Sequence, residues 1–282
     1  SRRRRSDRAE SHSPRSTTPT TSCSSSPSAS APASPRRATY DGTQAVDGAG
    51  HSEAEDRFHQ RAKQIAKDVP RTFPCEPRAD PIRLRIGDVL REYVNRDDEL
   101  GYVQGMNFVA AGACLTTHSL REAQEAFEVY MAELRPLWLP GFPMIGEGVP
   151  LLEELLRERD PELFQHMVNL ECNFYVILPT AWWSCLAKWV PLPVFLDLLP
   201  LVGREGLLGM LSATLLLLLF HRQELLRFWD LEELLEYLCN LSSRPPPDRL
   251  LDMCEASLPA LRSCAARAEA CSGGGLGHSG AC

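Results

Sequence analysis

From residue 54 to about residue 268, apolar positions recur at spacings of three and four, the signature of helices with one buried face. EDRFHQRAKQIAKDV places Phe58, Ala62, Ile65 and Val69 on one side, and PIRLRIGDVLREYVN does the same with Leu84, Ile86, Val89, Leu90 and Tyr93. Further helical stretches follow: MNFVAAGACLTTH, LREAQEAFEVYMAELRPLW, PLLEELLRERD, PELFQHMVNL, TAWWSCLAKWV, PVFLDLLPLV, EGLLGMLSATLLLLLF, LEELLEYLCNL and DRLLDMCEASLPALRSCAARAEA. Pro or Gly stands at many of the joints, and alternating strand patterns with turn pairs are absent. The pattern predicts an all-α protein. Its longest apolar run, LLGMLSATLLLLLF, is shorter than the roughly 20 residues a bilayer requires. Ser212 and Thr214 interrupt it and His221-Arg222 end it, so a buried core helix is expected and no transmembrane segment.

The ends read differently. Residues 1–53 are dominated by Ser, Pro, Arg, Thr and Ala, and such a segment buries too little apolar surface to offset its ordering entropy. A disordered N-terminal tail is expected there, its Ser-Pro steps and Arg clusters either simply solvated or serving modification and docking. The expected organisation is this tail, a helical domain over 54–245, and a C-terminal helix with a loose end over 246–282.

Composition narrows the function classes. With 44% apolar and 24% charged residues, the 282-residue chain suits one large domain or two small ones. A net charge of −7 argues against a nucleic-acid binder. The ten cysteines form no CxxC pair, so no zinc site is expected, and SRRRRSDRAE has no apolar stretch behind it to act as a secretory leader. The plain reading is an intracellular protein with reduced thiols. Cys and His residues would be the candidates of an independent enzyme, for example Cys185 or His221, but these lack any nucleophile or metal spacing and read as core and helix-end positions.

Two stretches carry candidate chemistry. In IAKDVPRTFP, Pro70 should stop the helix and leave Arg71 projecting from the loop. The pattern alone also fits a surface arginine held by Asp68 through a charge-assisted hydrogen bond. In LGYVQGMNF, Gln104 stands just before the small-residue helix MNFVAAGACL, at a corner that could present its amide to a polyatomic ligand or bind a neighbouring loop.

Together these stretches resemble the TBC domain, the helical GTPase-activating domain acting mainly on Rab-type small GTPases. Ile65, Asp68, Arg71 and Thr72 match the family's I-x-x-D-x-x-R-T pattern. Gly101, Tyr102, Gln104, Gly105, Met106 and Asn107 match G-Y-x-Q-G-M-N. Weaker likeness continues through Asp197, Glu205 and Gly206, with Leu196 where a tryptophan often stands, so that the resemblance covers about residues 54–245. Family members usually carry one or two earlier helices with an Arg and a Trp; here that region is the Ser/Pro-rich tail, and a truncated or diverged N-terminal lobe is expected.

The resemblance implies a mechanism. Arg71 would be an arginine finger supplied in trans, its planar fork suited to phosphate oxygens, and Gln104 a glutamine finger orienting the attacking water. Asp68 would orient Arg71, Tyr102 and Met106 would anchor the glutamine loop, and Gly101 and Gly105 would permit its tight turn. Thr72 completes the first motif. No cofactor is expected of this chain, because GTP and Mg2+ would arrive with the GTP-loaded partner. A cytoplasmic regulator of vesicle traffic follows, with peripheral membrane association through the GTPase. The alternative is a helical adaptor that binds a small GTPase or another partner without accelerating hydrolysis.

Overall fold

The computed structural model describes the chain from residue 53 to residue 273, with side chains from 55 to 267. The expected tails, and the expected truncation of an N-terminal lobe, lie outside or at the edge of these residues. Among the described residues twelve α-helices run in order: α1 (Glu53–Asp68), α2 (Arg83–Arg96), α3 (Met106–Thr116), α4 (Leu120–Leu134), α5 (Pro143–Arg159), α6 (Pro161–Asn169), α7 (Phe174–Trp182), α8 (Leu192–Glu205), α9 (Leu207–Phe220), α10 (Arg222–Leu225), α11 (Leu231–Cys239) and α12 (Leu250–Gly273). No strand occurs among the described residues. The all-α expectation holds.

Helices α2, α3 and α4 pack on one another and α1 lies along α2, while α5 gathers α6, α7 and α9. Helix α8 joins the groups by packing against α3 and α4 as well as α9 and α12. Local signals set several boundaries. Ser119 and Glu122 form a reciprocal capping box at α4, and Asp160 caps α6 ahead of Pro161.

Helix α9 is apolar on every side and is covered accordingly. Its two hydroxyls are satisfied in the core. Thr214 Oγ1 donates to the Met210 carbonyl at 2.7 Å and accepts from the Trp182 indole at 2.9 Å, and Ser212 Oγ meets Ser257 Oγ at 2.7 Å. Helix α12 supplies the cover with a stripe of buried Leu250, Cys254, Leu258 and Leu261. The helix expected within 246–282 therefore packs onto the domain.

Two helix boundaries differ from expectation. Helix α5 begins at Pro143, two turns before Pro150, because a proline is well placed at a first helical position and Pro150 is tolerated further along. The stretch TAWWSCLAKWV is mostly not helical. Helix α7 starts earlier, at Phe174, capped by Asn173, whose side chain accepts from the Tyr175 N–H, and it ends in a Schellman turn. There the Leu186 N–H reaches the Ala181 carbonyl at 2.9 Å and the Cys185 N–H reaches the Trp182 carbonyl at 2.8 Å. Cys185 takes the left-handed conformation (φ 48°) that glycine usually fills, so no sequence signal marks the stop.

Candidate functional site

The arginine corner forms where α1 runs out. Pro70 removes a backbone donor, and residues Val69–Arg71 tighten into a single 3₁₀ turn closed by the Thr72 N–H on the Val69 carbonyl at 3.2 Å. Arg83 at the start of α2 clamps this turn, its guanidinium donating to the carbonyls of Val69 and Thr72 at 2.8 and 3.1 Å. Phe73 exits with φ 48°, its ring edge-on to Phe108 at 5.3 Å. Thr72 is fully buried, whereas Arg71 is exposed and makes no ion pair or hydrogen bond among the described residues.

The glutamine corner depends on two glycines. Gly101 has φ +64° and Gly105 φ +116°, and a Cβ on Gly105 would lie 1.9 Å from the Trp183 carbonyl oxygen. Only a residue without a side chain permits that approach. Met106 is buried and its sulfur accepts the Val103 N–H at 3.3 Å. Gln104, between these anchored positions, is exposed and its amide has no partner among the described residues.

A buried polar network joins the corners. The Tyr102 hydroxyl donates to the Asp68 carboxylate at 3.0 Å, spanning 34 residues of sequence. Asn107 reaches both ways: its Nδ2 donates to Thr72 Oγ1 at 2.7 Å, while its Oδ1 accepts the Gly105 N–H at 2.9 Å and lies 3.4 Å from the Tyr102 hydroxyl. Thr72 Oγ1 in turn donates to the Asp68 carbonyl at 2.9 Å. Burial, reinforced by the Asp68 charge, pushes the Tyr102 pKa far up and keeps the phenol a donor. Arg71 and Gln104 each stand one residue from this network.

This arrangement corrects one expectation. The Asp68 carboxylate takes the Tyr102 hydroxyl and the Gln64 amide (3.0 Å each), not the Arg71 guanidinium. Any hold of Asp68 on Arg71 passes through the rigid turn. The sequence reading also gave Asn107, Arg83 and Phe73 no role. Asn107 was visible within the second motif, but nothing in the spacing of Arg83 or Phe73 distinguishes them from neighbouring polar-face and core residues. Cys185 and His221 are core residues: burial pushes the Cys185 thiol up, and His221 Nδ1 is 2.9 Å from the Tyr237 hydroxyl.

A model of the Rab-GTPase-TBC domain matches residues 42–226, more than half of the chain. The chain belongs to the Rab-GTPase-TBC domain family. Relatives include the GTPase-activating protein GYP5 of Eremothecium gossypii, 26% identical over 186 residues, which cover 64% of this chain and 21% of that protein. Growth hormone-regulated TBC protein 1 of Homo sapiens is 28% identical over 142 residues, 48% of this chain and 40% of that one. The chain thus spans well under half the length of either relative. Its fold resembles the crystal structure of the Ypt/Rab-GAP domain of Gyp1p, with TM-score 0.60 and 17% identity, covering 77% of this chain and 76% of that one.

Within the TBC domain, the weaker downstream features sit apart from the two corners in sequence. Asp197 is exposed on α8, and Gly206 turns the α8–α9 joint with φ +53°. Glu205 pairs with Arg204 and Arg262. Helices α11 and α12 lie beyond the matched residues, yet α12 completes the TBC core over α9.

Proposed function

We propose that this TBC domain accelerates GTP hydrolysis by a Rab-type small GTPase, placing Arg71 and Gln104 in trans against the bound nucleotide. The observation that carries this reading is the network of Asp68, Thr72, Tyr102 and Asn107, which ties two distant motifs together and leaves these two side chains exposed. Unaided GTPases hydrolyse GTP slowly because charge builds on the γ-phosphoryl oxygens and the water must lie in line. Arg71, lacking an internal carboxylate, is available to neutralise that charge. Gln104 has both amide donor and carbonyl acceptor to orient the water. GTP and Mg2+ belong to the partner, and the domain contributes no cofactor of its own. Recruitment to a membrane then follows the lipid-anchored GTPase, consistent with a regulator of vesicle traffic; no described helix is long and apolar enough to cross a bilayer.

The test is single-turnover phosphate release from a panel of GTP-loaded Rab-type GTPases. A responsive member is expected, with stimulation falling about 10³-fold or more for Arg71→Ala while the thermal melt is unchanged. Arg71→Lys is expected to fail as well, since lysine lacks the bidentate fork. Gln104→Ala should lose activity, most severely when the GTPase's own glutamine is removed. A protein that binds the GTP-loaded partner without accelerating hydrolysis would be an adaptor, and a fully active Arg71→Ala protein would overturn the assignment.

A further inference from the structure

Beside the glutamine corner lies a cleft lined by Gln104, Phe108, Pro179, Thr180, Trp183 and Lys188. Its apolar walls continue toward the arginine corner, because Phe108 packs edge-on against Phe73, two residues past Arg71. Lys188 is the one charged residue of that lining. Several arginines elsewhere on the domain are held internally, as in Arg61 with Asp98, Arg135 with Asp97 and Arg222 with Asp160. Lys188 is exposed and its ammonium has no carboxylate partner among the described residues. It is one of only three lysines in a chain of 27 arginines, since 30 basic residues less three lysines leaves 27. A solitary cation at the rim of an otherwise apolar and neutral-polar cleft is suited to an anionic group on whatever protein docks there.

We propose that Lys188 is a positioning residue of the GTPase-docking surface, receiving a carboxylate side chain that the partner carries next to its nucleotide. The proposal rests on the activity assigned to Arg71 and Gln104, and it names a determinant of partner choice at that site. The Trp183 backbone carries the carbonyl against which Gly105 is pressed, so the segment that supplies Lys188 is braced directly on the glutamine corner. A partner held by Lys188 is therefore registered against Gln104.

The experiment measures kcat and KM for stimulated hydrolysis with a responsive GTPase, across a range of ionic strength, for Lys188→Glu, Lys188→Ala, Lys188→Arg and Arg71→Ala. Lys188→Glu is expected to raise KM about tenfold or more with kcat within about twofold, and Lys188→Arg to remain near wild type. Lys188→Ala should flatten the dependence of kcat/KM on salt, which a merely structural role leaves unmoved. An unchanged KM in Lys188→Glu, or a loss confined to kcat, overturns the proposal. If Arg71→Ala loses stimulation while Lys188→Glu behaves as wild type, only the docking contact fails; if Arg71→Ala stays fully active, the catalytic reading itself fails.

Discussion

At the scale of single residues, the two exposed side chains are set by the buried groups beneath them. Asn107 makes three polar contacts inside a buried cluster, so Asn107→Ala leaves the Gly105 N–H without its acceptor and the Thr72 hydroxyl with only the Asp68 carbonyl. Each buried orphan costs about 1–3 kcal/mol. We expect a stability loss of that order by urea unfolding, together with a fall in kcat larger than the folded fraction explains, because the corner that aims Gln104 loosens. Gly105→Ala is harsher: its Cβ would enter the Trp183 carbonyl and its backbone would be held at φ +116°. That strain alone is on the order of 1–3 kcal/mol. Stimulated hydrolysis should be lost, and Gly105→Ser should do no better; an active Gly105→Ala protein would show that the loop relaxes freely.

At the scale of elements, the arginine corner closes α1 and the glutamine corner opens α3, and other helices pack behind both. Helix α9 has no polar face to offer water, and α12 is what covers it. Leu258→Ala on α12 is expected to cost about 2–5 kcal/mol, as a cavity in a packed core does. Its effect on kcat at a temperature where the protein stays folded should be small, since α12 is remote in sequence from both motifs. Thermal unfolding followed with the hydrolysis assay separates the two. The same scale explains what sequence reading missed. The run through TAWWSCLAKWV is apolar enough for a helix, but its end is a Schellman turn built on Cys185, a residue with no turn preference to announce it.

For the whole molecule, two titrating groups contribute to acid sensitivity in separate pH ranges. The Arg135 guanidinium hydrogen-bonds Asp97 and lowers its pKa from 3.8 to about 2, and burial lowers His221 below its usual 6.5. Both shifts have the same sign: the unfolded chain takes up protons first, so stability is full above the unfolded pKa and falls as pH drops through the folded one. Urea midpoints should therefore decline first below about pH 6.5 and again between about pH 4 and pH 2. Asp97→Asn should shrink the lower decline, to which the lowered Glu205 also contributes, and leave the upper one. As for what was decided where, local patterning along the chain determined that the domain is helical and that Pro70 ends α1, because periodicity and backbone restriction act over a few residues, while Arg71 and Gln104 stood out through the resemblance of their two motifs to the TBC family. Tertiary structure alone decided that Asp68 faces Tyr102 and not Arg71, that Asn107 bridges to Thr72 across 35 residues, and that Lys188 lines the cleft of Gln104. Such pairings depend on which faces of separate helices meet in three dimensions, and the spacing of residues in one chain does not encode them.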